Sequence, residues 1–441
     1  MRKYEKYKPS GIEWLGEIPE HWESFRFIDY VFLKHGYQFR DFDFTDEGVK
    51  VIKITQLNQD GNLDLENCSF IDSSRLIEFN SLKIKEGDIL MALTGGTIGK
   101  IIRVNKVKEP LLQNYRVGNF FPNKKYINKT FLFHLLSSQI TFEQINYLLN
   151  RNGQPNIGKE SFKNMFFPLP NLSEQTVIAN YLDTKTAAID RKIELLTAKA
   201  DKYKALRRSL INETVCRGLN PNAPLKDSGI EWIGMIPEHW EVKRVKDHLD
   251  LLTGNSISDK TDYEDSNNSI PYVATKDIEI NSCNIDYENG IYIPRKELKN
   301  FKTINPNSIL LCIEGGSAGK KIAFNTRRIC FVNKLCSFSS KGNAVDIKYN
   351  FYQMQSAPWL FQFNQVLNGL IGGVSISLLK TFRLITPPRN EQAEIAIYLD
   401  NKTTQIDTIL TNISEQISKL AQLRKTLIND VVTGKIKVTE D

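Results

Sequence analysis

The chain has 441 residues, 58 Lys+Arg against 51 Asp+Glu, and a formal charge of +7. Charged residues at 25% and hydrophobic residues at 41% are globular proportions, which exclude a largely disordered chain, and the length suits roughly two to four domains. The basic start, Met1 to Lys8, lacks the apolar core of a secretory signal. No apolar run approaches the ~20 residues of a membrane span, so a soluble, cytoplasmic protein is expected. The six cysteines contain no Cys-x-x-Cys pair and the five histidines are scattered. Reduced packing thiols and no metal site are expected.

In chain order, residues 1–23 form a segment that returns at 219–241. Lys8-Pro-Ser-Gly-Ile-Glu-Trp-Leu-Gly-Glu-Ile-Pro-Glu-His-Trp-Glu23 recurs from Lys226 to Glu241, with thirteen of sixteen positions identical at an offset of 218. Four of the five tryptophans lie in this motif, so the chain is an internal duplication. His21 and His239, inside the repeated Glu-His-Trp, suit packing or capping better than catalysis. Two copies make a pseudo-dimer in one chain, not a solenoid.

Residues 24–166 and 242–383 read as two mixed α/β modules. Short β-rich runs, Val49 to Ile54 and Ile270 to Ala274, alternate with Gly/Asn/Asp turns. Strands at Ile89 to Leu93 and Ile309 to Ile313 run into Gly95-Gly96-Thr97-Ile98-Gly99-Lys100 and Gly315-Gly316-Ser317-Ala318-Gly319-Lys320. A P-loop needs a first glycine, four intervening residues, then Gly-Lys with a hydroxyl residue after the lysine. Thr94 or Glu314 and Ile101 or Lys321 stand there instead. The loops are tight turns, or turns that also bring Lys100 and Lys320 to a phosphate.

The polar residues on the loops of the first module are Lys53, Gln56, Thr97, Lys100, Asn114, Arg116, Gln154 and Asn156. In the second they are Lys276, Ser317, Lys320, Asn333, Lys334 and Ser375, with the Gln56 and Lys276 stretches placed opposite each other. Amides and guanidinium groups can read base edges, and solvated loops carry the same residues. These fourteen are the candidate DNA contacts.

Residues 167–218 and 384–441 read as long helices of ~42 residues, or ~63 Å each. Leu182, Ile189, Leu196, Tyr203 and Leu210 in the first, and Leu399, Ile406, Ile413, Leu420 and Leu427 in the second, repeat every seven residues. Such a stripe keeps one helix face against a partner helix. Ser173 and Asn390 are candidate N-caps, with Gly218 and Gly434 beyond the far ends. Pairing of the two helices as an antiparallel coiled coil is expected, which makes them a spacer. The fold class is then α+β, two α/β modules separated by two long helices in a pseudo-twofold repeat.

Catalytic motifs are missing. There is no Asn/Asp-Pro-Pro-aromatic loop of an amino-methyltransferase and no Gly-x-Gly-x-x-Gly fingerprint. Glu241-Val242-Lys243 offers only a fragment of a nuclease site.

The chain resembles the specificity subunit of type I restriction–modification systems. The resemblance rests on the Ser-Gly-Ile-Glu-Trp-x-Gly-x-Ile-Pro-Glu-His-Trp motif at Ser10 to Trp22 and Ser228 to Trp240. It also rests on Pro-x-x-x-Glu-Gln leading into Tyr-Leu-Asp-x-Lys-Thr at Pro170 to Thr186 and Pro387 to Thr403. It implies a non-catalytic DNA-binding subunit with two target-recognition domains reading a bipartite asymmetric site. It further implies two methyltransferase subunits that bind S-adenosylmethionine and modify adenine, and motor–nuclease subunits that use ATP and Mg for cleavage. An enzyme with an unrecognised site, or a coiled-coil assembly protein without DNA contact, are the readings this resemblance competes with.

Overall fold

The computed structural model describes residues 2–58, 62–152, 156–257, 263–342, 345–367 and 372–438. It divides into two compact units, Met1–Leu195 with Gln416–Asp441, and Leu196–Glu415. Each unit thus takes one end of each long helix, and each is built the same way.

The first unit holds two four-stranded sheets. One, in the order Val31–His35, Val117–Pro122, Ile89–Ala92, Ile101–Arg103, is antiparallel throughout. The other, in the order Leu111–Gln113, Val49–Ile52, Ser69–Ile71, Phe44–Thr45, contains one parallel pair. The second unit repeats the first sheet and three strands of the other, while its fourth strand there, Thr303–Ile304, lies on the opposite edge beside Ile329–Phe331. Leu249–Thr253, Leu335–Ser340, Ser308–Cys312 and Ile322–Asn325 form the antiparallel sheet, while Tyr272 and Cys330 register the parallel pair of the other.

The run Ile89-Leu90-Met91-Ala92-Leu93 explains this layering. Side chains alternate across a strand, so a run that is apolar throughout must be covered on both faces. Ile89, Met91 and Leu93 enter the core shared with the long helices, while Leu90 and Ala92 enter a second core. Ile309, Leu311 and Ile313 divide from Leu310 and Cys312 in the same way.

The long helices run Leu172–Arg217 and Arg389–Val432. The first cap is Asn171, whose Oδ1 accepts from the Glu174 amide at 3.0 Å and from the Ser173 hydroxyl at 2.6 Å. Ser173 is therefore inside the helix, and Asn390 likewise lies within the second. Gly218 and Gly434 end the helices in the left-handed region, at φ of 78° and 77°. A Cβ at Gly218 would lie 3.0 Å from the Trp240 ring, and one at Gly434 would lie 2.4 Å from Pro19.

In the first unit Ile178 and Leu182 share a core with Leu427 and Val431, and further along Arg424 Nε donates to Asp190 at 2.8 Å. Numbering rises on one helix as it falls on the other, so the pair is antiparallel. The second unit repeats this, with Ile211 and Val215 beside Ile395 and Leu399, and Arg207 Nε donating to Asp407 at 3.1 Å. At the heptad positions Leu182, Leu399, Ile406, Ile413 and Leu427 are buried. Ile189, Leu196, Tyr203, Leu210 and Leu420 are half-buried, as expected where two helices pair without a third.

The repeated motif sits at the helix bases. In the second unit Trp240 Nε1 donates to Glu391 Oε2 at 2.9 Å and His239 Nε2 meets Oε1 at 2.7 Å. In the first, His21 meets Glu174 at 3.0 Å, but the Tyr4 hydroxyl takes the other oxygen at 2.7 Å, and Trp22 Nε1 has no partner among the described residues. The two histidines are thus hydrogen-bond partners of a helix-base glutamate. Both tryptophans are fully buried. Trp240→Phe is expected to destabilise the chain by about 1–2 kcal/mol more than Trp22→Phe, because only the former breaks a bond to a carboxylate. Guanidinium unfolding of the two variants measures this, and equal losses would reject it.

Candidate nucleic-acid interface

In the first unit the end of the central strand gathers three other segments. The Leu93 amide donates to the Arg116 carbonyl at 3.0 Å, and the Leu93 carbonyl accepts from Ile157 at 2.9 Å. The Asn114 amide donates to Ile52 at 3.1 Å, and the Tyr37 amide donates to Gln113 at 3.1 Å. Gly36 allows that last approach, since a Cβ there would lie 2.1 Å from the Gln113 carbonyl oxygen. Between these segments lies a cleft of about 800 Å³.

The cleft carries Lys53, Asn114, Arg116 and Asn156, four of the sequence candidates, together with Gln38 and Tyr115. Arg116 is exposed, and its guanidinium makes no hydrogen bond or ion pair among the described residues. Lys53 is held in the wall, with Nζ donating to Ser69 Oγ at 2.7 Å and lying 4.0 Å from the centre of the Phe44 ring. Tyr115 stacks on His35 with ring centroids 5.6 Å apart and is itself exposed. Amide and aromatic groups beside an exposed guanidinium suit a charged, planar-edged polymer.

The second unit repeats the frame bond for bond. Ile313 donates to Lys334 at 3.0 Å, Val374 to Ile313 at 2.9 Å, Val332 to Val273 at 3.0 Å, and Asn255 to Phe331 at 2.9 Å. Arg116 therefore corresponds to Lys334, Tyr115 to Asn333, Asn114 to Val332, and Asn156 to Gly373. Asn333 and Lys334 are exposed on this frame.

Several candidates have other roles. Gln56 is buried; its Oε1 accepts from the Lys53 amide at 3.1 Å and its Nε2 donates to the Asn67 carbonyl at 2.9 Å. This corrects its reading as a base contact, because both ends of the amide hold the 3₁₀ turn Ile54–Gln56. Its counterpart is Asp277, which accepts from the Ala274 amide at 2.8 Å. The register of the two stretches is thus one residue from that expected, and Lys276 matches Thr55. Lys276 is exposed, 3.8 Å from Asp277.

Ser375 is exposed, and its Oγ caps the short helix Ile376–Leu379 by accepting from the Leu378 amide at 3.3 Å. The glycine-rich loops are turns in which Gly99 and Gly319, at φ of 81° and 73°, lie against Phe142 and Phe363. Thr97, Lys100 and Ser317 are half-buried on these turns, and Thr97 and Lys100 are not among the residues lining the cleft of their unit. Lys320 Nζ donates back to Gly316 of its own loop at 3.3 Å. Gln154 lies outside the described residues.

Gln38, Tyr115 and Thr94 also line the cleft and are absent from the sequence candidates. Gly36 and Gly254, related by the 218-residue offset, mark the approach that places Gln38, but a lone glycine pair does not reveal that a cleft residue lies two positions on. Among the described residues no group of three or more His, Cys, Asp or Glu could hold a metal ion.

A family model described as type I restriction modification DNA specificity domain matches residues 19–200 and again 237–419, more than half of the chain. The MjaVIII type I restriction enzyme specificity subunit of Methanocaldococcus jannaschii is 32% identical over 213 residues, 48% of this chain and 48% of that protein. The match thus spans about half the length of that relative. The putative type I restriction enzyme MjaX specificity subunit of the same organism is 25% identical over 450 residues, covering 99% of this chain and 98% of that one. A chain from a solved structure concerned with complex assembly and conformational transition of the type I R-M system has the same fold. It superposes with a TM-score of 0.69 at 16% identity, over 95% of this chain and 99% of that chain.

The division between scaffold and free side chains is measurable. Gln56→Leu should lower unfolding free energy by about 1–3 kcal/mol through unpaired buried backbone groups. Arg116→Ala should stay within about 0.5 kcal/mol of the parent. Chemical denaturation separates the two, and a reversed order would overturn these assignments.

Proposed function

The chain belongs to the type I restriction modification DNA specificity family, and from that premise we propose that the cleft of the first unit and the matching frame of the second read the two halves of a bipartite DNA target. The DNA-recognition role is that of the family, whose specificity subunits are non-catalytic. The observation that supports the assignment is one backbone frame used twice with different side chains mounted on it. Identical frames dock on DNA alike, and unlike side chains select unlike half-sites.

The paired helices set the gap between half-sites, supported by the heptad stripe and the two Arg–Asp pairs along it. Methyltransferase subunits dock twice, once on each helix base. In the first unit a cavity of about 1240 Å³ opens beside His21, Glu174 and Tyr181, and in the second a smaller one of about 200 Å³ opens beside His239 and Glu391. We assign S-adenosylmethionine to these partners, and ATP with magnesium to motor–nuclease subunits that join for cleavage. No helix among the described residues is long and apolar enough to cross a membrane, and the cytoplasm is where such a complex meets DNA.

Sequencing the methylated bases in a host expressing this chain with its methyltransferase should return an asymmetric, interrupted motif with a fixed spacer. A continuous palindrome would refute the reading. Deleting residues 196–202, one heptad, should change spacer length and leave both half-sites intact; altered half-site bases with an unchanged spacer would reject the spacer role. Arg116→Ala should weaken specific binding by about 1–3 kcal/mol if the guanidinium meets a base edge, with relaxed choice at one position. Unchanged affinity and motif would remove Arg116 from the interface.

A further inference from the structure

One position of the shared frame differs in charge between the units. Thr94 and Glu314 each follow the central strand and precede a glycine in the left-handed region, Gly95 at φ of 73° and Gly315 at 86°. Thr94 is bridged to Asn156, and Glu314 is bridged to Gly373, its counterpart. Thr94 lines the cleft of the first unit. Glu314 is exposed, and its carboxylate has no hydrogen bond or ion pair among the described residues. A Cβ added at Gly373 would lie 3.6 Å from Glu314 Cγ, so the glycine leaves the longer side chain open space.

A free carboxylate on a surface that meets phosphates is repelled by them. It is retained there without cost only where it meets a donor. Lys321 does not serve, since its Nζ donates to the Thr275 carbonyl at 2.7 Å, and Lys320 turns back to Gly316. On the major-groove edge the donors are exocyclic amino groups, cytosine N4 and adenine N6, and an acidic side chain accepts from them. Guanine O6 and thymine O4 are acceptors there and would face the carboxylate with like charge.

We infer that Glu314 is a specificity-determining residue, which accepts a hydrogen bond from the exocyclic amino group of one base in the half-site read by the second unit. Thr94, whose hydroxyl both donates and accepts, imposes no such demand at the matching position of the first. This inference rests on the reading that the two frames face DNA.

The test uses the assembled methyltransferase complex carrying Glu314→Thr or Glu314→Gln, with the methylated motif read by sequencing. Both variants should relax one base pair of a single half-site, with discrimination reduced roughly tenfold, and leave the other half-site and the spacer unchanged. At that pair, a duplex with purine in place of adenine, or pyrimidin-2-one in place of cytosine, lacks the amino group. The parent complex should bind such a duplex roughly tenfold more weakly, and the Glu314→Thr complex should not discriminate. An identical motif, or parent binding indifferent to loss of the amino group, would overturn the inference. If a variant no longer methylates, equilibrium binding to duplexes substituted one base pair at a time decides. Weakening that is uniform over all duplexes overturns the inference, and loss of preference at one position supports it. Lys334→Ala separates this from the underlying reading. If it lowers DNA affinity while Glu314→Thr changes nothing, only the role of Glu314 fails; if neither affects binding or motif, the cleft assignment fails with it.

Discussion

Two buried glutamines decide where each recognition module sits on its helix. Gln175 Nε2 donates to the carbonyls of Tyr126 and Pro170, at 2.9 and 2.8 Å, while its Oε1 accepts from the Asn128 amide at 2.8 Å. Gln392 makes the matching bonds, donating to Pro387 at 2.8 Å and accepting from Asp346 at 2.7 Å. Each stitches three segments, the chain entering the helix, the helix itself and the cap of a module helix. Because both glutamines are buried, each bond stands against a full desolvation penalty, so the arrangement has no nearby alternative. The glutamates beside them, Glu174 and Glu391, turn the other way and hold the repeated Glu-His-Trp segment. The Glu-Gln dipeptide that recurs in the sequence is therefore a joint with one residue facing each side.

With that joint fixed, the central strands can serve two cores at once. One face of Ile89–Ala92 packs toward the helix and the other supports the sheet that bears the cleft. A displacement of the module on its helix would move Leu93, and with it the carbonyl of Arg116 and the amide of Ile157. The cleft is thus positioned by packing several layers away from any exposed side chain. The ion pairs Arg103–Asp183, at 3.0 Å, and Lys348–Asp400, at 3.2 Å, reinforce the same junction from the helix side. Asp183 also holds His134 at 2.7 Å, and burial pushes that imidazole below its ordinary pKa more strongly than the carboxylate raises it. A neutral histidine donating to Asp183 fits this, and it keeps the junction's charge on the arginine and the aspartate.

The duplication, the strands and the heptad stripe are legible in the sequence because each leaves a periodic or repeated trace. Leu182 to Leu210 and Leu399 to Leu427 can be read from spacing alone. The first helix cap lies at Asn171, two residues before the expected Ser173, because several polar residues near Pro170 can each accept an amide. The loops are harder for a physical reason. Gln56 and Arg116 are both polar loop residues, yet one amide is consumed by its own backbone while the guanidinium next to a shared carbonyl bond has no partner among the described residues. That distinction depends on a 3₁₀ turn whose counterpart uses aspartate, Asp277, in place of glutamine. Aligning by residue type hides this equivalence, and only the capping bond reveals it. Tyr115 and Gln38 escape a sequence reading for a related reason, since nothing local marks a side chain as pointing into a cleft made by distant strands.

The hydrogen bonds that build the cleft come from the backbone, and this is why one scaffold can hold two different sets of side chains. Leu93 and Ile313 each bond to the residues beside them through amide and carbonyl groups, so the side chains at 116 and 334, or 94 and 314, are not needed to keep the frame. Substitution at those positions leaves the ladder intact, whereas substitution at Gly36 or Gly254 would drive a Cβ into a carbonyl oxygen. Freedom and constraint are thus separated residue by residue along the same short segments. A carboxylate such as Glu314 can occupy the frame without a hydrogen-bond partner among the described residues because the backbone, not the side chain, closes the frame.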